Sequence, residues 1–433
     1  MSWLRRGPGD VRDLTLRAVL FRGTRDLLPV YGLYGVLFAD HGLGAAQISL
    51  LFALWSLTAF FLEVPSGAWA DTVSRRGLLV LSALLQASTF TVWALAPSFA
   101  GFALGFVLWG VAGALESGTF EALVYDELVT RGETASYARI MGYARAAQEI
   151  SVLVAIVSAA PLYALGGYAL VGWVSVGVAC VHVATALTLP GAPRAVSASV
   201  VEDLEDGVPE PVAAPHGYLS MLRAGVGEAL RVRRVRRGVL LGALLYGMTA
   251  FDEYFGLLAV AGGASTAASA LLLGVAVTGS LAGSLLAGRA EALAAGRLSA
   301  LLVLAGGTFI GGCLLVAAGP GSAYGTALLW TGFVGIAIGY GIDFAAEVVA
   351  GARLQDAIEG PARATVTSVS GLLSEIVALG IFGFVALTTT WWSMPVTVGV
   401  LGALLLLAAA LTPSWLPPRR ADADRTPATA ADR

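Results

Sequence analysis

The chain has 433 residues, of which 57% are hydrophobic and 13% charged, and its formal charge is −3. A soluble protein is roughly 25% charged, whereas here the apolar residues fall into about a dozen blocks of ~20, the length an α-helix needs to cross the hydrocarbon core. This pattern excludes a water-soluble enzyme, and it excludes a transmembrane β-barrel, whose strands are only ~10 residues long and alternate in polarity.

The N-terminus, Met1 to Arg17, is polar and Arg-rich. No small-residue cleavage site follows the first apolar block, so a retained first helix is expected rather than a signal peptide. The spans are expected at about 17–38, 45–66, 77–96, 99–123, 140–163 and 168–189, then at about 238–260, 266–287, 298–318, 324–348, 364–388 and 393–413. The expected fold is therefore an all-α polytopic membrane protein with twelve transmembrane helices in two pseudo-symmetric six-helix bundles. The bundles cover 1–190 and 238–413, separated by a cytoplasmic linker at 191–237 and followed by a tail at 414–433 rich in Pro, Ala and Asp. The tail is expected to be disordered.

All 26 basic residues are Arg. With the N-terminus inside, the inner segments hold Arg75, Arg76, Arg131, Arg194, Arg223, Arg289, Arg297, Arg353 and Arg363, and the outer loops hold none. The positive-inside rule then places both termini and the linker in the cytoplasm, with the protein in the cytoplasmic membrane. The linker begins acidic at Val201–Pro211 and ends in Arg231, Arg233, Arg234, Arg236 and Arg237. This cluster can meet anionic lipid headgroups, although a plain positive-inside flank accounts for it more economically. It abuts a span, which argues against nucleic acid. Cys180 and Cys313 lie inside apolar blocks, and His41, His182 and His216 are scattered. No disulfide, metal or cofactor is expected.

An offset of 226 residues aligns the two halves. Asp26 falls on Asp252, Glu121 on Glu347, Glu133 on Glu359 and Glu149 on Glu375. Chance predicts about one such match among the acids of the first half. Charges also sort by helix. The first span carries Arg22, Arg25 and Asp26, the fourth Glu116 and Glu121, the seventh Asp252 and Glu253, and the tenth Asp343 and Glu347. Charges within the bilayer are costly unless they face protein or water. Spans 1, 4, 7 and 10 are therefore expected to face an interior, while 3, 6, 9 and 12, which carry no charge, can face lipid.

The segment after the second span reads Glu63-Val-Pro-Ser-Gly67-Ala-Trp-Ala-Asp71-Thr-Val-Ser-Arg75-Arg76. It resembles the Gly-x-x-x-Asp-x-x-Gly-Arg-Arg/Lys loop of the major facilitator superfamily, with Ser74 where that family has Gly. Glu291 with Gly296-Arg297 resembles a decayed second copy. The resemblance implies two bundles around a cavity lined by spans 1, 4, 7 and 10, and transport by alternating access. It also implies that Gly67, Asp71, Arg75 and Arg76 form a gating loop, with Asp126 or Glu127 as partners for the arginines. Phe106 stands where proton-coupled members carry Arg. The stretch Ala160-Pro161 to Gly166-Gly167 only approximates the antiporter pattern.

Arg25, Asp26, Asp252 and Glu253 lie about halfway through the first and seventh spans, where a substrate or proton site is expected. Arg22 and Asp26 are spaced i,i+4 and can pair. The alternative there is a structural ion pair. Asp252 and Glu253 have no base within a turn, so they repel one another, and relief by proton uptake suits a proton carrier. Arg145 and Glu149, with Glu375 at the repeat-related place, can bridge the bundles, or Arg145 and Glu149 can form a buried salt bridge. Glu121, Asp343 and Glu347 are expected near the inner ends, solvated or paired with loop arginines. Tyr31, Tyr34, Trp55, Trp109, Tyr246 and Tyr254 are candidate cavity aromatics or interface residues. The chain has no H-E-x-x-H, G-x-S-x-G or P-loop motif. The expected function is secondary transport of a small organic solute, proton-coupled export first and metabolite uptake second, by a monomer. A non-transporting sensor or scaffold is the alternative of a different class.

Overall fold

The computed structural model describes residues 9–191, 232–358 and 363–418. The side chains of Glu63, Gly67, Asp71 and Arg363, among others, lie outside that description, as do Arg231, Arg194, Arg223, Glu359, most of the linker and the end of the tail.

The described residues form helices α1 (Gly9–Arg25), α2 (Tyr34–Asp40), α3 (Ala45–Thr72), α4 (Arg75–Leu95), α5 (Phe99–Glu116), α6 (Thr119–Arg131) and α7 (Tyr137–Thr188). They continue with α8 (Arg233–Met248), α9 (Phe255–Ala261), α10 (Thr266–Ala290), α11 (Ala295–Ala318), α12 (Gly325–Ala357), α13 (Arg363–Thr388), α14 (Met394–Leu401) and α15 (Ala403–Trp415). Nine stretches among the described residues are long and apolar enough to cross a membrane. One of them, Thr134–Thr188, contains two helices joined at a kink where Gly166 and Gly167 leave helical geometry, Gly167 at φ 59°. It therefore covers the expected fifth and sixth spans. This is a multi-pass membrane protein.

Besides the twelfth, split at Gly402 between α14 and α15, three expected spans are broken rather than continuous. The first stops at Arg25, resumes as a short 3-10 turn at Pro29–Gly32, and continues as α2. Pro29 has no N–H to donate and restricts the residue before it, which disfavours a regular helix through this point. Freed backbone groups in a membrane must be satisfied by protein. Here the Arg25 carbonyl accepts from Gln86 Nε2 at 3.0 Å, and the Val30 N–H donates to Ser175 Oγ at 3.0 Å. The seventh span breaks at the corresponding place, between α8 and α9, through a 3-10 stretch at Thr249–Tyr254. The fourth stops at Glu116, and Gly118 takes a left-handed φ of 66° before α6 begins. That conformation is open to glycine at no steric cost.

By packing, the described chain divides into two units. The first contains α1 to α7 with the stretches Glu253–Gly274 and Phe382–Trp392; the second contains α8 up to Asp252, Val275–Ile381 and the chain from Ser393. In the first unit α1 and the 3-10 turn pack on α7, and α5 packs on α3 and α4. Its buried core includes Leu14, Phe21, Leu79, Phe120 and Ile140. In the second unit α12 packs on α11 and on α8.

The second unit uses glycine for close approach. A Cβ on Gly279 or Gly283 would overlap the backbone of Ala337 or Gly341 on α12, and one on Gly312 would overlap Gly332. Small residues let backbones meet where lipid supplies no hydrophobic drive between helices. Gly283→Val is accordingly expected to cost about 1–3 kcal/mol or more through overpacking. Gly288→Ala, in the same helix with nothing within 4 Å of the added carbon, should be neutral or gain up to about 1 kcal/mol. Melting of the two purified variants in detergent checks the contrast.

Candidate functional site

The break in the first span gathers charge in the first unit. Arg22 Nη1 donates to Glu116 Oε1 at 2.7 Å, and Arg22 Nη2 to Glu121. Arg25 Nε donates to Glu116 Oε2 at 2.7 Å, and its Nη1 to Asp26 Oδ2 at 3.0 Å. Asp26 also accepts from Tyr31 Oη at 3.1 Å and from Gln148 Nε2 at 2.7 Å. Arg22 lies over the Phe120 ring at 4.5 Å, a cation–π contact. Both arginines occupy the last turn of α1, where the helix dipole favours a cation.

This arrangement corrects two expectations. Arg22 and Asp26 do not pair at i,i+4, because the helix ends at Arg25 and Asp26 turns to other partners. Glu121 is neither solvated nor paired with a loop arginine; it is buried and holds Arg22. Glu116, which reaches both arginines, was present in the sequence as a charge on the fourth span and was not chosen. The signal that could have found it is the presence of two arginines in an apolar span, since such charges need acidic partners nearby.

An aromatic wall adjoins the network. Tyr31 stacks on Trp109 with ring centroids 5.1 Å apart and 16° between planes. Trp109 also stacks on Phe106 at 5.9 Å and lies 5.4 Å from Trp55. Tyr31, Tyr34, Trp55 and Trp109 are all half-buried. Tyr254, by contrast, is fully buried with its hydroxyl 2.7 Å from Ser49 Oγ, and Tyr246 is exposed.

Asp252 and Glu253 were expected to act on one another. Each accepts a tyrosine hydroxyl, from different elements. Tyr34 donates to Glu253 within the first unit, and Tyr340 Oη donates to Asp252 at 2.6 Å within the second. Gly35 approaches the Glu253 carbonyl, and Gly256 meets Val36. Phe52 packs on Tyr254 and Phe382 in the same unit. One turn beyond Tyr340 on α12 lies Asp343. It is 0% exposed, and neither carboxylate oxygen has a hydrogen-bond partner. The expectation that it sits solvated near an inner end is thus overturned. Nothing in hydropathy separates a half-buried acid from one sealed on all sides.

Arg145 and Glu149 are both exposed and form no salt bridge with each other, so the buried pair expected for them is absent. Glu375 is half-buried on α13. In the loop region, Arg75 Nη1 pairs with Asp126 at 2.5 Å, both buried. Arg76 donates to the Leu187 carbonyl, and Glu127 pairs with Arg131 at 2.8 Å. One of the two loop arginines thus meets an acid, and the other caps the end of α7. Arg237 donates to the Ser414 carbonyl at 3.0 Å, while Arg233, Arg234 and Arg236 are exposed. Among the described residues no group of His, Cys, Asp or Glu is placed to hold a metal.

The family model of the Major Facilitator Superfamily matches residues 18–374. No curated protein matches the chain. Among solved structures, a mutant of the nucleoside transporter NupG aligns with TM-score 0.71 at 15% identity, covering 92% of this chain and 98% of that one. A bacterial homolog of the human lysosomal transporter Spinster, inward-facing and occupied, aligns at 0.66 with 17% identity, covering 95% and 97%. A D-xylose-proton symporter aligns at 0.64 with 16% identity, covering 94% and 98%. At such identities the likeness speaks for the fold alone.

Proposed function

The chain belongs to the major facilitator superfamily, and from that premise we propose that it is a secondary transporter exporting a small organic solute across the cytoplasmic membrane in exchange for protons. The observation that carries this reading is the pair of broken spans at repeat-related positions, each with acids at its break. Interrupted helices in corresponding places of two halves mark substrate and ion sites in transporters, because unwound backbone and charge are tolerated at membrane depth only where they line a site. In this reading Arg25 and Asp26, in the first unit, bind the solute. Asp252, with Tyr340 and Asp343, in the second unit, moves the proton, and Glu253, Arg145, Glu149 and Glu375 are secondary candidates. Proton-coupled uptake is the second reading, favoured by the likeness to the D-xylose-proton symporter.

Both termini and the linker are placed in the cytoplasm by the arginine distribution. The exposed Arg233, Arg234 and Arg236 then lie where anionic headgroups can reach them. Reporter fusions at Arg194 and after Arg420 should report inside, and external labelling of either overturns the orientation.

Gly67, Asp71, Arg75 and Arg76 are proposed as the gate on the inner side, with the Arg75–Asp126 pair one of its contacts. Asp71→Asn is expected to lower turnover by about 100-fold, the scale of losing one or two charge-assisted hydrogen bonds in a transition between states. Membrane expression should be unchanged. Initial rates in vesicles normalised to protein content check it; normal turnover removes the gate.

A further inference from the structure

Tyr31 stacks on Trp109 and Trp55 packs against the same ring at a tilt of 34°, and no other described ring stacks in parallel on Tyr31. Both residues keep part of their surface open. Tyr31 Oη and Arg25 Nη1 hold the two oxygens of one carboxylate, Asp26. The guanidinium and the open tyrosine ring are therefore neighbours. Within the network the Arg25 side chain is the most open member, at 20%, against 8% for Asp26 and 3% for Glu116. Its Nε and Nη1 are engaged, and Nη2 has no partner among the described residues. The polar edge presented beside the aromatic wall is thus a guanidinium N–H.

Charge narrows what can dock there. Two guanidiniums face three carboxylates. His182, packed on Phe21 at 4.6 Å, has no partner for Nε2. Glu253 adds a further acid at Tyr34. Carboxylates outnumber guanidiniums here, which opposes an anion, while the open polar edge of Arg25 is cationic, which opposes a cation. A flat ring is favoured by the open aromatic faces, since stacking on such faces tolerates any planar π-system.

We propose that the partly open rings of Tyr31 and Trp55, with the Nη2 edge of Arg25, bind a neutral, planar heteroaromatic solute that carries a carbonyl or ring-nitrogen acceptor. This names the substrate class for the transport reading above and rests on it. Binding needs no gradient, however, so it can be tested apart from transport.

The test is quenching of tryptophan fluorescence in the detergent-purified full chain by three probes of one ring system: neutral acridone, anionic acridine-9-carboxylate and cationic proflavine. Acridone should quench saturably, with each charged probe about tenfold weaker or more. Tyr31→Phe keeps the ring and should stay within about twofold of the parent. Tyr31→Leu and Trp55→Leu should each weaken acridone by about tenfold, the scale of one lost stacking contact, at an unchanged melting temperature. If Tyr31→Leu does not fold, the comparison of Trp55→Leu with the parent decides. The proposal is overturned by a charged probe binding as tightly as acridone, by absence of saturable quenching up to the solubility of acridone, or by a folded Trp55→Leu that binds as the parent does. Loss of gradient-driven flux with this binding intact would instead count against the transport reading.

Discussion

Asp343→Asn is expected to abolish uphill transport while leaving downhill exchange in place. The side chain has no exposure and neither oxygen has a partner, so an ionised carboxylate there would lose several kcal/mol of solvation without repayment. Glu347, one turn further along α12, adds a like charge rather than a counter-ion. Release of a proton from Asp343 therefore needs its surroundings to change. Tyr340, one turn back, donates to Asp252, which lies at the break in the seventh span. Asn mimics the neutral acid and cannot release a proton. A pH gradient of one unit is worth about 1.4 kcal/mol, or roughly tenfold accumulation per coupled proton. The parent should approach that ratio in proteoliposomes, and the variant should fall to about one, equal concentrations on both sides. Asp343→Ala should show the same transport loss together with a raised melting temperature, because removing a buried polar group that nothing satisfies is neutral or stabilising. Uphill accumulation at the parent level by either variant would remove Asp343 from the coupling path.

Arg25→Leu is expected to be the most destabilising single change in the first unit. It strips a counter-charge from Glu116 and from Asp26 at once. Removing one member of a buried ion pair costs about 3–5 kcal/mol, since the remaining charge is left buried and uncompensated. That is a large share of a typical total stability of about 5–15 kcal/mol. A fall in melting temperature on the order of 10 °C should follow. Glu116→Leu added to Arg25→Leu should recover part of the loss, because taking away both partners avoids the orphaned charge. Melting of the two variants in detergent tests this. A single variant as stable as the parent, or losses that simply add, would show that the network is not a coupled unit.

Much of this was legible in the chain. Block length gives the apolar spans, and the charges of spans 1, 4 and 10 mark helices that hold buried acids, while Asp252 and Glu253 of the seventh are half-buried. Asp26 and Asp252, matched at the offset of 226, both fall at breaks in their spans, although the breaks themselves were not read. Pro29 was the available signal for the first of them. Pairing was less legible. Spacing of i,i+4 identified Arg22 with Asp26 and Arg145 with Glu149, and neither pair forms. The rule assumes an unbroken helix with partners on its own face, whereas Glu116 and Glu121 reach Arg22 from either side of a turn at Gly118. The isolation of Asp343 depends on helices distant in sequence, which no local pattern encodes.

The central claim is that solute and proton movements are obligatorily linked through the acids of the second unit. The most direct measurement adds a solute, chosen from a panel of dyes, antibiotics and sugars, outside proteoliposomes at equal pH, and records lumenal pH. For proton-coupled export the account predicts that inward solute flux drives protons out and turns the lumen alkaline, and that Asp343→Asn gives solute flux with no pH change. Solute entry through the parent protein with no change in lumenal pH would contradict it.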